Sequence, residues 1–137
     1  MLYRQAFELQ LKALIKDLVS LRVRYVDGLN NDLEECGSDE FLQKRMGHKL
    51  TKLLAEAMKH YEALDVKERF PANISHVVGL LHQADATGTA FRYAGVLPED
   101  QEYVDLPNLA NLLDECFDEL VSVGDYAEYL FSSRPSL

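Results

Sequence analysis

At 137 residues and 15.6 kDa, with 47% hydrophobic and 27% charged residues, the chain has the size of one folded domain and is too apolar for a disordered one. Fourteen Lys and Arg oppose 23 Asp and Glu, a net charge of −9, which disfavours a general nucleic-acid binder, because such binding depends on neutralising phosphates. No apolar run approaches the roughly 18 residues that cross a bilayer, so no membrane segment is expected. The first 14 residues, interrupted by Arg4, Glu8 and Lys12, lack a small-residue cleavage site and are not expected to act as a signal peptide. With only Cys36 and Cys116 as thiols, the chain reads as a cytoplasmic protein with reduced cysteines, Cys116 falling in an apolar stripe.

The first element is a helix from about Leu2 to Val26. Phe7, Leu11, Leu14, Leu18, Leu21 and Tyr25 recur in steps of three and four, and Asp27-Gly28 closes the run. Leu2, Ala6, Leu9 and Val23 widen the stripe, so packing on more than one side is expected. Leu29 to Ser38 is polar and reads as a loop. Ser38 before Asp39 and Glu40 is an N-cap signal for a short helix to about Met46, and Gly47 separates it from a long helix over about His48 to Leu64. Asp65 to Pro71 is a charged connection. Asn73 is expected to cap a third long helix, with Ile74, Val77, Val78, Leu81 and Ala84 inward and an end near Asp85 to Gly88. Thr89 to Val104 reads as a loop. Asp105, with Pro107 in the first turn, opens a last helix to about Phe131, in which Gly124 is a candidate break. The economical architecture is all-α: one domain over 1–131, an antiparallel bundle of four long helices plus a short one, followed by a frayed tail.

Charge is unevenly placed along these helices. Residues 1–26 carry five Lys and Arg against Glu8 and Asp17, whereas between Tyr93 and Ser133 ten acids occur with no Lys or Arg. Asp114, Glu115, Asp118 and Glu119 concentrate that charge on the last helix. The face either serves solubility, docks a basic protein partner, or imitates nucleic acid to block a nucleic-acid-processing enzyme.

Motifs for chemistry are sparse. A di-iron bundle needs Glu-x-x-His on two helices, and none occurs. Glu56 with His60, and His82 with Asp85, share helix faces and read as surface partners, so no metal and no cofactor is expected. Phosphate loops and nucleophile elbows are absent. Two constellations stand out. Arg69 and His76 would supply charge stabilisation and acid–base chemistry to a metal-independent ribonuclease, although Pro71 and Asn73 place a helix start between them. His48 at a helix entrance, with Asp85, Arg92 and Tyr93 around the third connection, forms a candidate polar site. Arg92 is the only Lys or Arg between Arg69 and Arg134, and reads first as a structural ion pair and second as a phosphate or partner-carboxylate contact.

Three segments resemble the HEPN-like superfamily. Residues 6–15, AFELQLKALI, are similar to its E-L-x-L-K-A-L helix; Gly47-His48-Lys49-Leu50 with Leu53 is similar to its G-H-D-L-x-x-L helix start. Ala90-Phe91-Arg92-Tyr93, followed by Val104-Asp105-Leu106, resembles an F-R-Y-P … D-L segment of uncharacterised bacterial members. The resemblance spans about residues 3–130. It implies a helical bundle, often dimeric, from toxin–antitoxin and phage-defence settings. Catalytic members carry Arg-x4–6-His near a helix start. Arg69 and His76 have that spacing, but Pro71 departs from a helical version, and Arg45 and His48 are too close together. The expected protein is therefore a non-catalytic module binding a protein partner, with homodimerisation as a further expectation and no nucleic acid or membrane. The alternatives are a ribonuclease toxin and an acidic inhibitor.

Overall fold

The computed structural model describes the backbone of residues 2–87 and 106–136, and the side chains of 4–82 and 110–136. Every regular element among them is helical: α1 (Leu2–Leu21), α2 (Asn31–Cys36), α3 (Asp39–Phe41), α4 (Leu50–Ala63), α5 (Ala72–Thr87) and α6 (Leu106–Ser132). Two wider π-helical turns, Arg22–Val26 and Leu42–Met46, extend α1 and α3. The all-α expectation holds. No helix is long and apolar enough to cross a membrane among the described residues.

The heptad-like stripe of α1 is buried: Phe7, Leu11, Leu14, Leu18 and Leu21 all lie in the core. A second buried row, Ile15 and Val19, lies beside it, so α1 is covered on two sides as expected. Leu9 is not part of that coverage; it is 66% exposed. The segment read as a loop over 29–38 contains α2 instead. Asn30 is its N-cap, its side-chain oxygen accepting from the Asp32 and Leu33 amides, and buried Leu33 anchors the turn. The polar run that resembles a loop is a capped helical turn with acids at its positive end. Ser38 caps α3 as expected, accepting from the Phe41 amide at 3.1 Å, and Gly47 at φ 58° ends the π-turn in a conformation costly for other residues.

Contacts close into a cycle: α1 against α4 and α6, α4 against α5, and α5 against α6. The direction of the pairs differs from an antiparallel bundle. Along α1 and α6 the partners rise together. Phe7 meets Phe117 with ring centroids 5.8 Å apart, Leu14 and Asp17 lie against Gly124, and Tyr25 meets Phe131 at 5.4 Å. Likewise Glu8 bonds His48 and Arg22 bonds His60, so α1 also runs parallel to α4. α5 runs the other way: against α4 the order is reversed, with Tyr61 on Phe70 and Met58 on Ser75, and since α6 shares the direction of α1 and α4, α5 opposes α6 as well. The physical reason is the segment 27–49. It is a crossover carrying α2 and α3, long enough to return the chain to the start of α1, and not a short turn. Buried Leu33 and Leu42 fasten it to the core.

Other boundaries are corrected locally. Asn73 lies inside the first turn of α5, which already begins at Ala72 after Pro71. Gly124 does not break α6, which continues to Ser132. A Cβ there would meet Leu14 Cδ1 at 3.4 Å, an ordinary contact, so α6 passes close beside α1 at this point. After α6, Arg134 lies over the Phe131 ring at 4.5 Å and Ser136 Oγ accepts from Arg24 Nε at 3.2 Å. The loop expected over 89–104 and the cap expected at Asp105 lie outside the described residues.

The same α1–α6 approach sets Asp17 against Asp125 and Glu128. Partial burial and these two like charges push its carboxyl above the usual aspartate range. A carboxyl raised by folding contributes stability below its unfolded pKa and loses it as pH rises through its folded pKa. Asp17→Asn is therefore expected to be more stable than the wild type at neutral pH. The difference should disappear below about pH 3.9, the ordinary aspartate value. Urea midpoints measured from pH 3 to 7.5 check this; a difference constant with pH would place the effect elsewhere.

Candidate functional site

α6 separates its residues by spacing. Leu113, Cys116, Leu120, Val123, Ala127 and Phe131 face the core, whereas Glu115, Asp118, Glu119, Ser122 and Tyr126 share the adjoining stripe. That stripe forms one wall of a surface groove of about 570 Å³. The opposite wall comes from the end of α4 and the connection after it, through Tyr61, Glu68, Arg69 and Pro71.

Local chemistry fixes this connection. Leu64 ends α4, and Asp65 takes the left-handed conformation at φ 55°, which short polar side chains tolerate. Tyr61 Oη donates to the Glu68 carbonyl at 2.9 Å and Tyr126 Oη donates to Glu68 Oε1 at 3.0 Å, pinning the connection to both α4 and α6. The bond to Glu68, with the nearby negative charge, pushes the Tyr126 phenol above its usual range, so it remains a neutral donor at physiological pH. Phe70 packs edge-on against Tyr61 with centroids 5.5 Å apart.

Ion pairing is markedly asymmetric. Lys12 pairs with Glu8, Lys16 with Asp39, Arg22 with Asp27, Lys44 with Glu40 and Lys59 with Glu56. Much of the basic surplus read from residues 1–26 is thus held inside the fold, Lys16 and Arg22 pairing with acids beyond that segment. Glu115, Asp118 and Glu119 take part in no ion pair among the described residues, nor does Arg69 across the groove. Three of the four acids expected to bind a partner therefore line one concavity. Asp114, exposed on the neighbouring stripe, does not line it.

The other expected sites divide. Arg69 lines the groove but His76 does not; His76 is exposed on α5, on the side away from buried Ile74, Val77 and Val78. The two are not gathered into one pocket. His48, with its side chain 81% exposed, bonds Glu8 through Nδ1 at 3.0 Å, and its carbonyl accepts from Arg4. It ties the entrance of α4 to α1. The side chain of Asp85, and Arg92 and Tyr93 altogether, lie outside the described residues. No family model matches this chain, and no curated protein or solved structure is detectably similar to it.

A second polar cluster was not legible as such. His60, read as a surface partner of Glu56, is fully buried. Arg22 Nη1 donates to its Nδ1 at 2.9 Å, so the ring proton sits on Nε2 and is donated to Glu56 Oε1, also at 2.9 Å. Arg22 is held from behind by Asp27, whose Oδ2 lies 2.7 Å from Nε. The π-turn brings this about, because its wider ring returns the Asp27 amide to the Arg22 carbonyl at 2.7 Å. Burial, with Arg22 and Lys59 nearby, lowers the His60 pKa against the opposing pull of Glu56, so the ring is neutral. The overlooked signal is spacing: His60 falls three residues after buried Ala57 and four before buried Leu64, on the core stripe of α4.

Proposed function

We propose that this chain is a non-catalytic, HEPN-like interaction module that docks a basic segment of a protein partner in the groove between α6 and the α4–α5 connection. One observation carries the reading: Glu115, Asp118 and Glu119 line a concave surface and take part in no ion pair among the described residues, while Lys12, Lys16 and Arg22 are held by other carboxylates. Unpaired carboxylates beside a neutral Tyr126 and the apolar edge of Val123 suit a Lys or Arg side chain with its aliphatic stem. The HEPN likeness rests on residues 6–15, 47–53 and 90–106 of the sequence. It supports a binding role in a toxin–antitoxin or phage-defence setting, with a second copy of the chain as a further candidate partner. The ribonuclease alternative draws no support from the groove, which holds Arg69 without His76.

The test uses a fluorescent peptide of alternating Lys/Arg and aromatic residues, titrated with the protein and followed by anisotropy. Binding should weaken as salt rises, and the triple variant Glu115→Lys, Asp118→Lys, Glu119→Lys should bind at least about 10-fold more weakly. The variant should keep the wild-type melting temperature or exceed it, since it relieves like-charge repulsion. Salt-independent binding, or equal binding by the variant, would refute the reading.

A further inference from the structure

We propose that Cys36, Glu56 and His60 form a three-ligand site for a divalent transition-metal ion of the zinc class, with water completing its shell. The site shares no residue with the groove and does not rest on the reading above. One ligand atom from each side chain, the thiol sulfur, a carboxylate oxygen and a ring nitrogen, lies within 4.8 Å of the other two. Metal bonds of about 2.0–2.3 Å in tetrahedral geometry place ligand atoms roughly 3.3–3.7 Å apart. The sulfur must close by up to about 1 Å, while Glu56 Oε1 and His60 Nε2, now hydrogen-bonded at 2.9 Å, must part slightly to admit the ion. This is the one such grouping among the described residues.

Three further features suit an ion. Glu56 and His60 stand four apart on α4, one turn along the same face, which is the spacing that lets one helix offer two ligands to one metal. Cys36, the last residue of α2, is brought there by the crossover, and its sulfur donates only to the Asp32 carbonyl of its own helix. Charge balances as well: a thiolate and a carboxylate neutralise a dication. Lys59, which now sits on Glu56, has a side chain 58% exposed and can swing into solvent. Full burial of His60, and a Glu56 side chain only 11% exposed, exclude water from all but the Cys36 edge.

Proton bookkeeping identifies what opposes the ion. An ion on Nε2 moves the ring proton to Nδ1, and the Cys36 thiol proton leaves for solvent, so one proton is released per ion bound. Nδ1 must then donate, but Arg22 Nη1 also donates there. Arg22 has to withdraw onto Asp27, which it already grips through Nε. Arg22 is thus a competitor whose removal should tighten binding. Glutamine at this position removes the competing guanidinium donor, its shorter side chain ending where Arg22 Nε now meets Asp27.

The experiment is a Co²⁺ titration of the full chain, read by the near-ultraviolet thiolate-to-cobalt band and by Zn²⁺ competition against a chromophoric chelator. The wild type should develop the band to saturation at one ion per chain. Cys36→Ala, at a half-buried position that keeps the fold, should lose the band and weaken Zn²⁺ binding roughly 100-fold, at least the cost of losing an outer-shell partner. Arg22→Gln should bind more tightly than the wild type. The proposal falls if neither the wild type nor Arg22→Gln shows the band, or if Cys36→Ala binds as the wild type does.

Discussion

Replacing His60 with alanine is expected to destabilise the fold by about 2–4 kcal/mol, read as a shift of the urea midpoint at neutral pH. The imidazole fills buried volume at the end of the α4 stripe, so its loss leaves a cavity. It also ends two hydrogen bonds, one at Arg22 Nη1 and one at Glu56 Oε1. The cost stays below that of stranding a buried charge, because Arg22 keeps Asp27 and Glu56 keeps Lys59. Acid should narrow the gap. His60 is held neutral in the fold, with a depressed pKa, whereas in the unfolded chain it takes up a proton near pH 6.5. The unfolded state therefore binds more protons, and the wild type loses stability as pH falls through that value. The alanine variant has no such proton to bind. Glu8 does not disturb the comparison. Burial raises its pKa, but the bond from His48 and the charge of Lys12 outweigh burial and set it below the usual glutamate range, in both proteins. A gap that does not change between pH 8 and 5.5 would mean that His60 is not neutral in the fold.

The elements were readable where one physical signal acted alone. Steps of three and four along Phe7, Leu11, Leu14 and Leu18 permit only an amphipathic helix, and Ser38 before Asp39 and Glu40 is a cap on any backbone. Readability failed where two signals competed. Asn30 to Asp32 has turn composition, yet the same asparagine caps α2, and only the burial of Leu33 decides between them. His60 has the polarity of a surface residue and the register of a core residue. The register wins because Arg22, 38 positions earlier, satisfies its second nitrogen. Periodicity is blind to that partner. The groove was half visible: the acids of α6 share a stripe by spacing alone, but the opposite wall depends on Glu68 being held by two tyrosines. Helix direction was the largest miss, since hydrophobic stripes are the same read up or down and only the length of the 27–49 segment carried the information.

That direction can be tested with a pair of aromatic rings. Phe7→Ala should cost about 3–5 kcal/mol, as for a fully buried phenylalanine, and Phe117→Ala less, because Phe117 is only half-buried. In the parallel arrangement the two rings meet edge-to-face at an interplanar angle of 76°. The double variant should then show a coupling of about 0.5–1.5 kcal/mol in a thermodynamic cycle. Were α6 reversed about its contact at Gly124, Phe7 would lie opposite the far end of the helix, near Phe131, and the Phe7–Phe117 coupling would vanish. The cycle formed by Phe7 and Phe131 is the counterpart. It should give zero here, because Phe131 packs on Tyr25, at the other end of α1. Coupling in the first cycle and none in the second means that the crossover has returned the chain, which is what places the acidic stripe of α6 beside the connection that closes the groove.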